Sequence, residues 1–397
     1  MPPVWRIRLV IIFLTIAAVG MGYIYFTQRL TPEERLALEQ AQVLPVSTPT
    51  PIPESKIQNF AQLLAIPYSF DTSIASQAAT LSFIGENSPG FVVLFGENID
   101  AETATETISE IENEKLSVDR PLIAVDHEGG RVQRLSGQGF TALPTWKRVC
   151  GQTPAQQTTA FASSSAELRA AGVEIVFAPV VDVADNNLIL KDRVCAGDPE
   201  TVSEVSLRFI DAFQKQNILP VIKHYPGLGS ATQDTHSEFT SVVIEDKDVF
   251  PFKTILDQYP KLGVMTAHVG VENQIPDVPC SLSFSCVNQL FELYPDIIVF
   301  SDALEMVAAS YDGNKPETSK SLEQVTIDAI LAGNSVVVFG PEVTVQQLEK
   351  ILSRMKQEYT SSNEFRTRID TAVTKIAALR ARYDLEQDNL QEVLDDQ

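Results

Sequence analysis

The chain from residue 219 to 229 reads Leu219-Pro220-Val221-Ile222-Lys223-His224-Tyr225-Pro226-Gly227-Leu228-Gly229. A short apolar run stops at a lysine and a histidine, and proline and glycine then turn the chain away. Such a run suits a strand buried on both faces, as in a parallel sheet. Polar groups placed where the strand ends belong to one rim of a parallel barrel, the face on which barrel sites are built. The chain has 4 histidines, and a second one, His236, follows closely in Asp234-Thr235-His236. The other two, His127 and His268, also stand at the ends of apolar runs, so all four are expected at a single polar site.

The same pattern recurs outward from this stretch. Comparable runs lie at 91–95, 122–125, 173–177, 263–266, 297–300 and 335–339, with Glu174 the one charge among them. Amphipathic segments separate several of them, for example 158–171 and 201–216. Alternation of strand and helix over about 300 residues implies a parallel sheet, and closing it gives an α/β fold of the (β/α)8, TIM-barrel type. Seven strands are visible in this way; the eighth is not. A final helix near 363–383 carries Ile369, Val373, Ile376 and Leu379 at helical spacing and is expected to pack on the barrel exterior.

With 397 residues, 44% of them hydrophobic, the chain can bury a large core. Its formal net charge of -22 argues against a nucleic-acid partner. Arg6 and Arg8 precede an uncharged run at 9–26, and Arg29 follows it. About 18 apolar residues span about 27 Å as a helix, close to a bilayer core. No clear cleavage site follows, so residues 1–29 read as an uncleaved signal anchor, a transmembrane helix. Residues 30–55 include the proline-rich VLPVSTPTPIP and read as an extended linker. Residues 56–397 form the barrel domain, expected on the extracytoplasmic side, at the cell surface or in the periplasm.

The chain has 4 cysteines. Cys280 and Cys286 are spaced so that a small disulfide loop could close, with Cys150 and Cys195 as the second pair. Four cysteines allow three connectivities, and four buried thiols are the alternative. Neither spacing is a zinc pattern.

Polar residues follow most of the strands: Asp126-His127-Glu128-Gly129-Gly130, Lys223-His224, His268 and Ser301-Asp302. Asp126 through Arg134 resembles the D-x-E-G-G-x-V-x-R signature of glycoside hydrolase family 3. The stretch 223–229 resembles that family's K-H-F-P-G-x-G, and Ser301-Asp302-Ala303-Leu304-Glu305-Met306 its S/T-D-x-L-x-M segment. Ala178-Pro179-Val180-Val181-Asp182, with Arg193 and Asp198-Pro199, is similar to its A-P-V-x-D…R…D-P region. The resemblance extends over about residues 56–385, and within the family the chain is similar to the single-domain β-N-acetylglucosaminidases. Two departures stand out: Leu228 replaces a second histidine that many relatives carry, and Val194-Cys195-Ala196 replaces S-F after the arginine.

The resemblance implies a retaining exo-β-N-acetylglucosaminidase acting on terminal GlcNAc of peptidoglycan fragments or chito-oligosaccharides. It implies Asp302 as nucleophile, His236 as acid/base and Asp234 as the group orienting its ring. It further implies that Asp126, Arg134, Arg193, Lys223 and His224 bind the sugar hydroxyls. Glu128 is expected to be structural, bonded to backbone or to Arg131, and His268 to be a satisfied histidine on the pocket floor. No metal or organic cofactor is implied. Two alternatives remain: a phosphorylase using the same site, since an imidazole tolerates an incoming phosphate that a carboxylate would repel, and a catalytically silent, tethered glycan-binding protein.

Overall fold

A computed structural model describes residues 58–395 apart from 115–118, 273 and 314–318. The proposed anchor and linker lie outside these residues. Among the described residues no helix is long and apolar enough to cross a membrane.

Eight parallel strands close into a barrel: β1 (Leu64–Ser69), β2 (Phe91–Phe95), β3 (Leu122–Val125), β4 (Ile175–Val176), β5 (Leu219–Tyr225), β6 (Gly263–Thr266), β7 (Ile298–Ala303) and β8 (Val336–Val338). Each pairs with its neighbours in sequence, and β8 returns to β1 through Leu64↔Val337 and Ala65↔Val338. A helix follows each strand: α1 (Ile74–Asn87), α2 (Ala101–Glu112), α3 (Pro154–Ala170), α4 (Pro199–Gln214), α5 (Asp246–Gln258), α6 (Phe284–Leu293), α7 (Leu322–Ala332) and α8 (Val345–Ser361). The terminal α9 (Asn363–Asp395) buries Ile369, Ile376 and Leu379 against the rest, as its spacing predicts.

The strand missing from the sequence reading is β1. Pro67 interrupts its pattern, and a proline ordinarily argues against a central strand because it removes a ladder donor. Here the ladder to β8 ends at Ala65, before the proline, while pairing to β2 runs on to Ser69↔Phe95. The strand around Glu174 is shorter than its apolar run. The buried Glu174 carboxylate accepts two hydrogen bonds from Arg120 at 2.9 and 2.6 Å and one from the Ile123 amide at 3.1 Å, which compensates its burial.

Inside the barrel, Phe300 lies edge-on to Phe91 and to Phe177, each at 5.7 Å between ring centroids, so side chains rather than a pore fill the interior. Gly263 belongs to this packing: a Cβ there would come within 2.6 Å of Val221 and 3.1 Å of Phe300. Outside, the stacked pair Phe209–Phe213 on α4 meets Phe161 of α3 and Trp146. Helix starts are set by local chemistry. Thr153 and Gln156 form a capping box ahead of α3 with Pro154 in its first turn, and Thr344 with Gln347 does the same for α8.

Candidate active site

At the C-terminal ends of the strands a cavity of about 690 Å³ opens. All eight residues singled out in the sequence line it. Asp126 follows β3, and Arg134 follows the hairpin His127–Gly129/Val132–Gln133. Arg193 comes from the β4–α4 loop, Lys223 and His224 from β5, Asp234 and His236 from the β5–α5 loop, and Asp302 from β7. Gly129 and Gly130 shape the hairpin turn, with φ of 93° and 59°, in the left-handed region that glycine adopts at no steric cost.

One buried carboxylate organises the cationic wall. Glu128 receives two hydrogen bonds from Arg193, at 2.7 and 2.8 Å, and pairs with Lys223 at 2.6 Å. Lys223 also donates to Asp126 at 2.8 Å, and Arg134 lies 3.8 Å from the other Asp126 oxygen. Burial pushes the Glu128 carboxyl upward, but the two cations outweigh it and hold it far below the usual range. Burial alone would lower Lys223 and Arg193, yet the carboxylates around them raise both, so both remain charged. The partner expected for Glu128 is corrected: Arg131 turns away to Asp192 at 3.2 Å and the Leu190 carbonyl at 3.0 Å. Sequence reasoning could not pair Glu128 with residues 65 and 95 positions away.

His224 is oriented by Asp182, a fully buried residue: its Nδ1 lies 2.7 Å from Asp182 Oδ2. Arg193 Nη2 lies 3.3 Å from His224 Nε2. A guanidinium can only donate, so in the neutral ring Nε2 accepts and Nδ1–H donates to the carboxylate. The second oxygen of Asp182 accepts the Leu228 amide at 2.6 Å. The Leu228 side chain packs in a small apolar cluster with Leu190, Val194 and Ala231. The arginine loop is further held by the disulfide Cys150–Cys195, and Cys280–Cys286 forms the second bridge.

The other two histidines do not join the site as a lining. His127 points into the exterior packing, 2.7 Å from Ser164 Oγ, and burial pushes its imidazole down to about 3. Alternation along the strand explains this, because adjacent side chains leave on opposite faces. His268 is satisfied beneath the cavity: Nε2–H donates to the Ala303 carbonyl at 3.0 Å, and Nδ1 meets Ser281 Oγ at 2.6 Å.

Asp302 accepts the Ala303 amide at 2.8 Å. Burial raises its carboxyl, but the imidazoles of His224 and His268, that amide and Lys223 together bring it below the usual value. It is therefore ionised at neutral pH. In the same cavity, His236 Nδ1 lies 2.8 Å from Asp234 Oδ1, which also accepts the His236 amide at 3.0 Å. Burial would raise Asp234, but its bonds from His236 prevail and lower it. With Nδ1 committed to the carboxylate, Nε2 is left to face incoming groups. Both side chains are more than half exposed, and the loop that carries them is clasped to the β7–α7 loop. The Ala308 amide donates to the Thr235 carbonyl at 3.1 Å, and Phe239 stacks on Tyr311 at 4.0 Å between centroids. Glu305, which sequence reasoning passed over, also lines the cavity, its Oε2 accepting the Gly340 amide at 3.0 Å.

An ionised carboxylate and a carboxylate-oriented imidazole in one cleft can attack a carbon and move a proton at its substituent oxygen. Comparison with known proteins agrees with that chemistry. Residues 54–379 match the Glycosyl hydrolase family 3 N terminal domain. A beta-hexosaminidase of Tolumonas auensis is 31% identical over 260 residues, covering 62% of this chain and 76% of that protein. The beta-hexosaminidase LpqI of Mycobacterium tuberculosis is 29% identical over 271 residues, covering 65% and 67%. Among solved structures, a beta-N-acetylhexosaminidase from Beutenbergia cavernae superposes with a TM-score of 0.70 at 25% identity, over 82% of this chain and 98% of that one. With the family domain running from ahead of the first barrel strand into the last helix, and motifs and barrel in agreement, this chain belongs to glycosyl hydrolase family 3.

Proposed function

We propose that this chain is a retaining exo-β-N-acetylglucosaminidase that releases terminal GlcNAc from chito-oligosaccharides or peptidoglycan fragments. The observation that carries this reading is the meeting of Asp302 and the Asp234–His236 pair in one cavity, beside a wall of hydroxyl-binding groups. The names of the relatives point the same way.

In this reading Asp302 Oδ attacks the anomeric carbon as His236 Nε2–H gives its proton to the glycosidic oxygen. The bond to the leaving sugar breaks and a glycosyl ester of Asp302 forms. His236, now neutral, takes a proton from water, whose oxygen attacks the same carbon and frees Asp302. Asp234 holds the ring in one tautomer and stabilises its cationic form, so one group serves both half-reactions. Asp126, Arg134, Arg193, Lys223 and His224 hold the glycone. Lys223 has two ammonium protons engaged by carboxylates and a third for a hydroxyl.

The location follows from separate reasoning. Residues 9–26 anchor the chain in a membrane, the proline-rich stretch is the spacer, and the barrel stands outside the cytoplasm. The length of the apolar run supports this, as do the two disulfides, which persist in oxidising compartments.

The test is release of a chromogenic leaving group from a β-GlcNAc aryl glycoside, with the β-glucoside and Asp302→Ala as controls. Turnover of the GlcNAc substrate alone, abolished in the variant, is expected. Equal turnover of the glucoside would overturn the specificity. A folded protein that binds GlcNAc but turns over neither substrate would instead be a tethered binding protein.

A further inference from the structure

The two sides of the cavity differ in charge. On the β3–β5 side the cations Arg193 and Lys223 are bound to Glu128 and Asp126. On the β7–β8 side Glu305 and Glu342 line the cavity, and neither has a cation partner among the described residues.

Glu305 is built into this position. Its Oε2 accepts the Gly340 amide, and its Oε1 would lie 1.9 Å from a Cβ at residue 340, so any larger residue there would displace the carboxylate. Burial raises its carboxyl above the ordinary value despite the bond from the Gly340 amide, and Asp302 and His236 are both near enough to act on it. Those two groups must flank the scissile linkage, one at the anomeric carbon and one at the leaving oxygen. A side chain close to both stands beside that linkage. Glu342 follows Gly340 by two residues and adds a second carboxylate to the same wall.

We propose that Glu305, reinforced by Glu342, is a specificity-determining residue that selects uncharged leaving sugars and rejects anionic ones. The inference rests on the β-N-acetylglucosaminidase reading and narrows its substrate class. A leaving GlcNAc can donate its hydroxyl protons to Glu305. A leaving sugar bearing a 3-O-lactyl carboxylate would bring a like charge up against these carboxylates. The cavity thus favours neutral chito-oligosaccharides over muramyl fragments whose lactyl carboxylate is free, although both end in the same GlcNAc.

The experiment compares kcat/KM of the full chain for chitobiose, for GlcNAc-β-1,4-MurNAc and for the methyl ester of the latter, at about pH 7.5 so that carboxylates are ionised. The wild type is expected to prefer chitobiose over the free acid by about tenfold or more, with the ester recovering most of the loss, an electrostatic effect of ordinary size for one like charge nearby. Glu305→Gln, which keeps the shape and removes the charge, should shrink the ratio of chitobiose to free acid at least about threefold. Glu342→Gln should shrink it less. Should Glu305→Gln fail to fold, the ratio in the wild type is followed as salt rises from about 20 to about 500 mM, where screening should bring it toward the ester's value. An unchanged ratio in folded Glu305→Gln would overturn the proposal. So would a wild type that cleaves acid and ester equally. Loss of all three activities together with the chromogenic GlcNAc substrate would instead overturn the underlying reading.

Discussion

Glu128→Gln tests whether the cationic wall is held by one carboxylate. The substitution keeps the volume but leaves the buried Lys223 and the partly buried Arg193 as neighbouring cations, with Asp126, bonded to Lys223, the one carboxylate still in contact with either among the described residues. Breaking a buried pair by removing one partner typically destabilises by about 3–5 kcal/mol, and two cations share this partner, so the upper half of that range is expected. Against a domain stability of about 5–15 kcal/mol this is large, and at roughly 2–3 °C per kcal/mol it lowers Tm by about 8–15 °C. Released from its bidentate partner, Arg193 no longer orients toward the cavity, and kcat/KM falls about 100-fold, the usual consequence of a displacement of about 1 Å at a positioning group. The pH dependence has a definite sign. The folded carboxyl lies below its ordinary 4.5, so its contribution is complete above that value and is lost as pH falls through the folded one. Thermal melts and steady-state kinetics at pH 7 and near pH 4 check this. The difference in Tm between wild type and Glu128→Gln should be widest at pH 7 and narrow with acid. A variant within about 1 kcal/mol of wild type at pH 7, with unaltered kcat/KM, would refute the reasoning.

Three further outcomes are expected. His236→Ala should lower kcat/KM for a disaccharide by about 10²–10⁴-fold but that for a nitrophenyl glycoside much less, because that leaving group departs without a proton; equal losses of kcat/KM on both would remove His236 from the acid role. Opening Cys150–Cys195, whose partners are 45 residues apart, by the double change to serine should reduce stability by up to about 4 kcal/mol and raise KM by freeing the Arg193 loop, read by denaturant unfolding and kinetics. Lys375 donates to the Pro295 and Ile297 carbonyls, yet burial pulls its ammonium down to about 8, so its protonated form opposes folding below that pH. Wild-type stability should rise relative to Lys375→Met between about pH 8 and the ordinary lysine value of 10.5. A flat difference across that window would show that the lysine is not perturbed.

What was legible in the sequence is what is written in neighbouring residues. Strands such as 91–95 and 297–300 could be read because a strand buried on both faces is almost wholly apolar, and that pattern needs only four or five consecutive positions. Asp302, Lys223 and His224 were legible as site candidates because a barrel sends every strand's C-terminal end to one rim, whatever the details of packing. The Asp234–His236 pair could be read because its hydrogen bond closes within three residues.

What lay outside that reach depended on closure. Pro67 disguised β1, since only the assembled sheet reveals that the ladder to β8 has already ended beside it. His127 follows a strand as His224 ends one, yet it faces Ser164 and Phe213 in the outer layer, and the rotation of a strand about its axis is set by its neighbours. The Glu128 cluster draws its cations from residues 193 and 223, and the choice of Arg193 over the nearby Arg131 was made by the β4–α4 loop passing over the hairpin. Charge pairing is a distance effect with no sequence period, so the strands and the candidate chemistry were local properties, while the partners that tune that chemistry were decided by the tertiary fold.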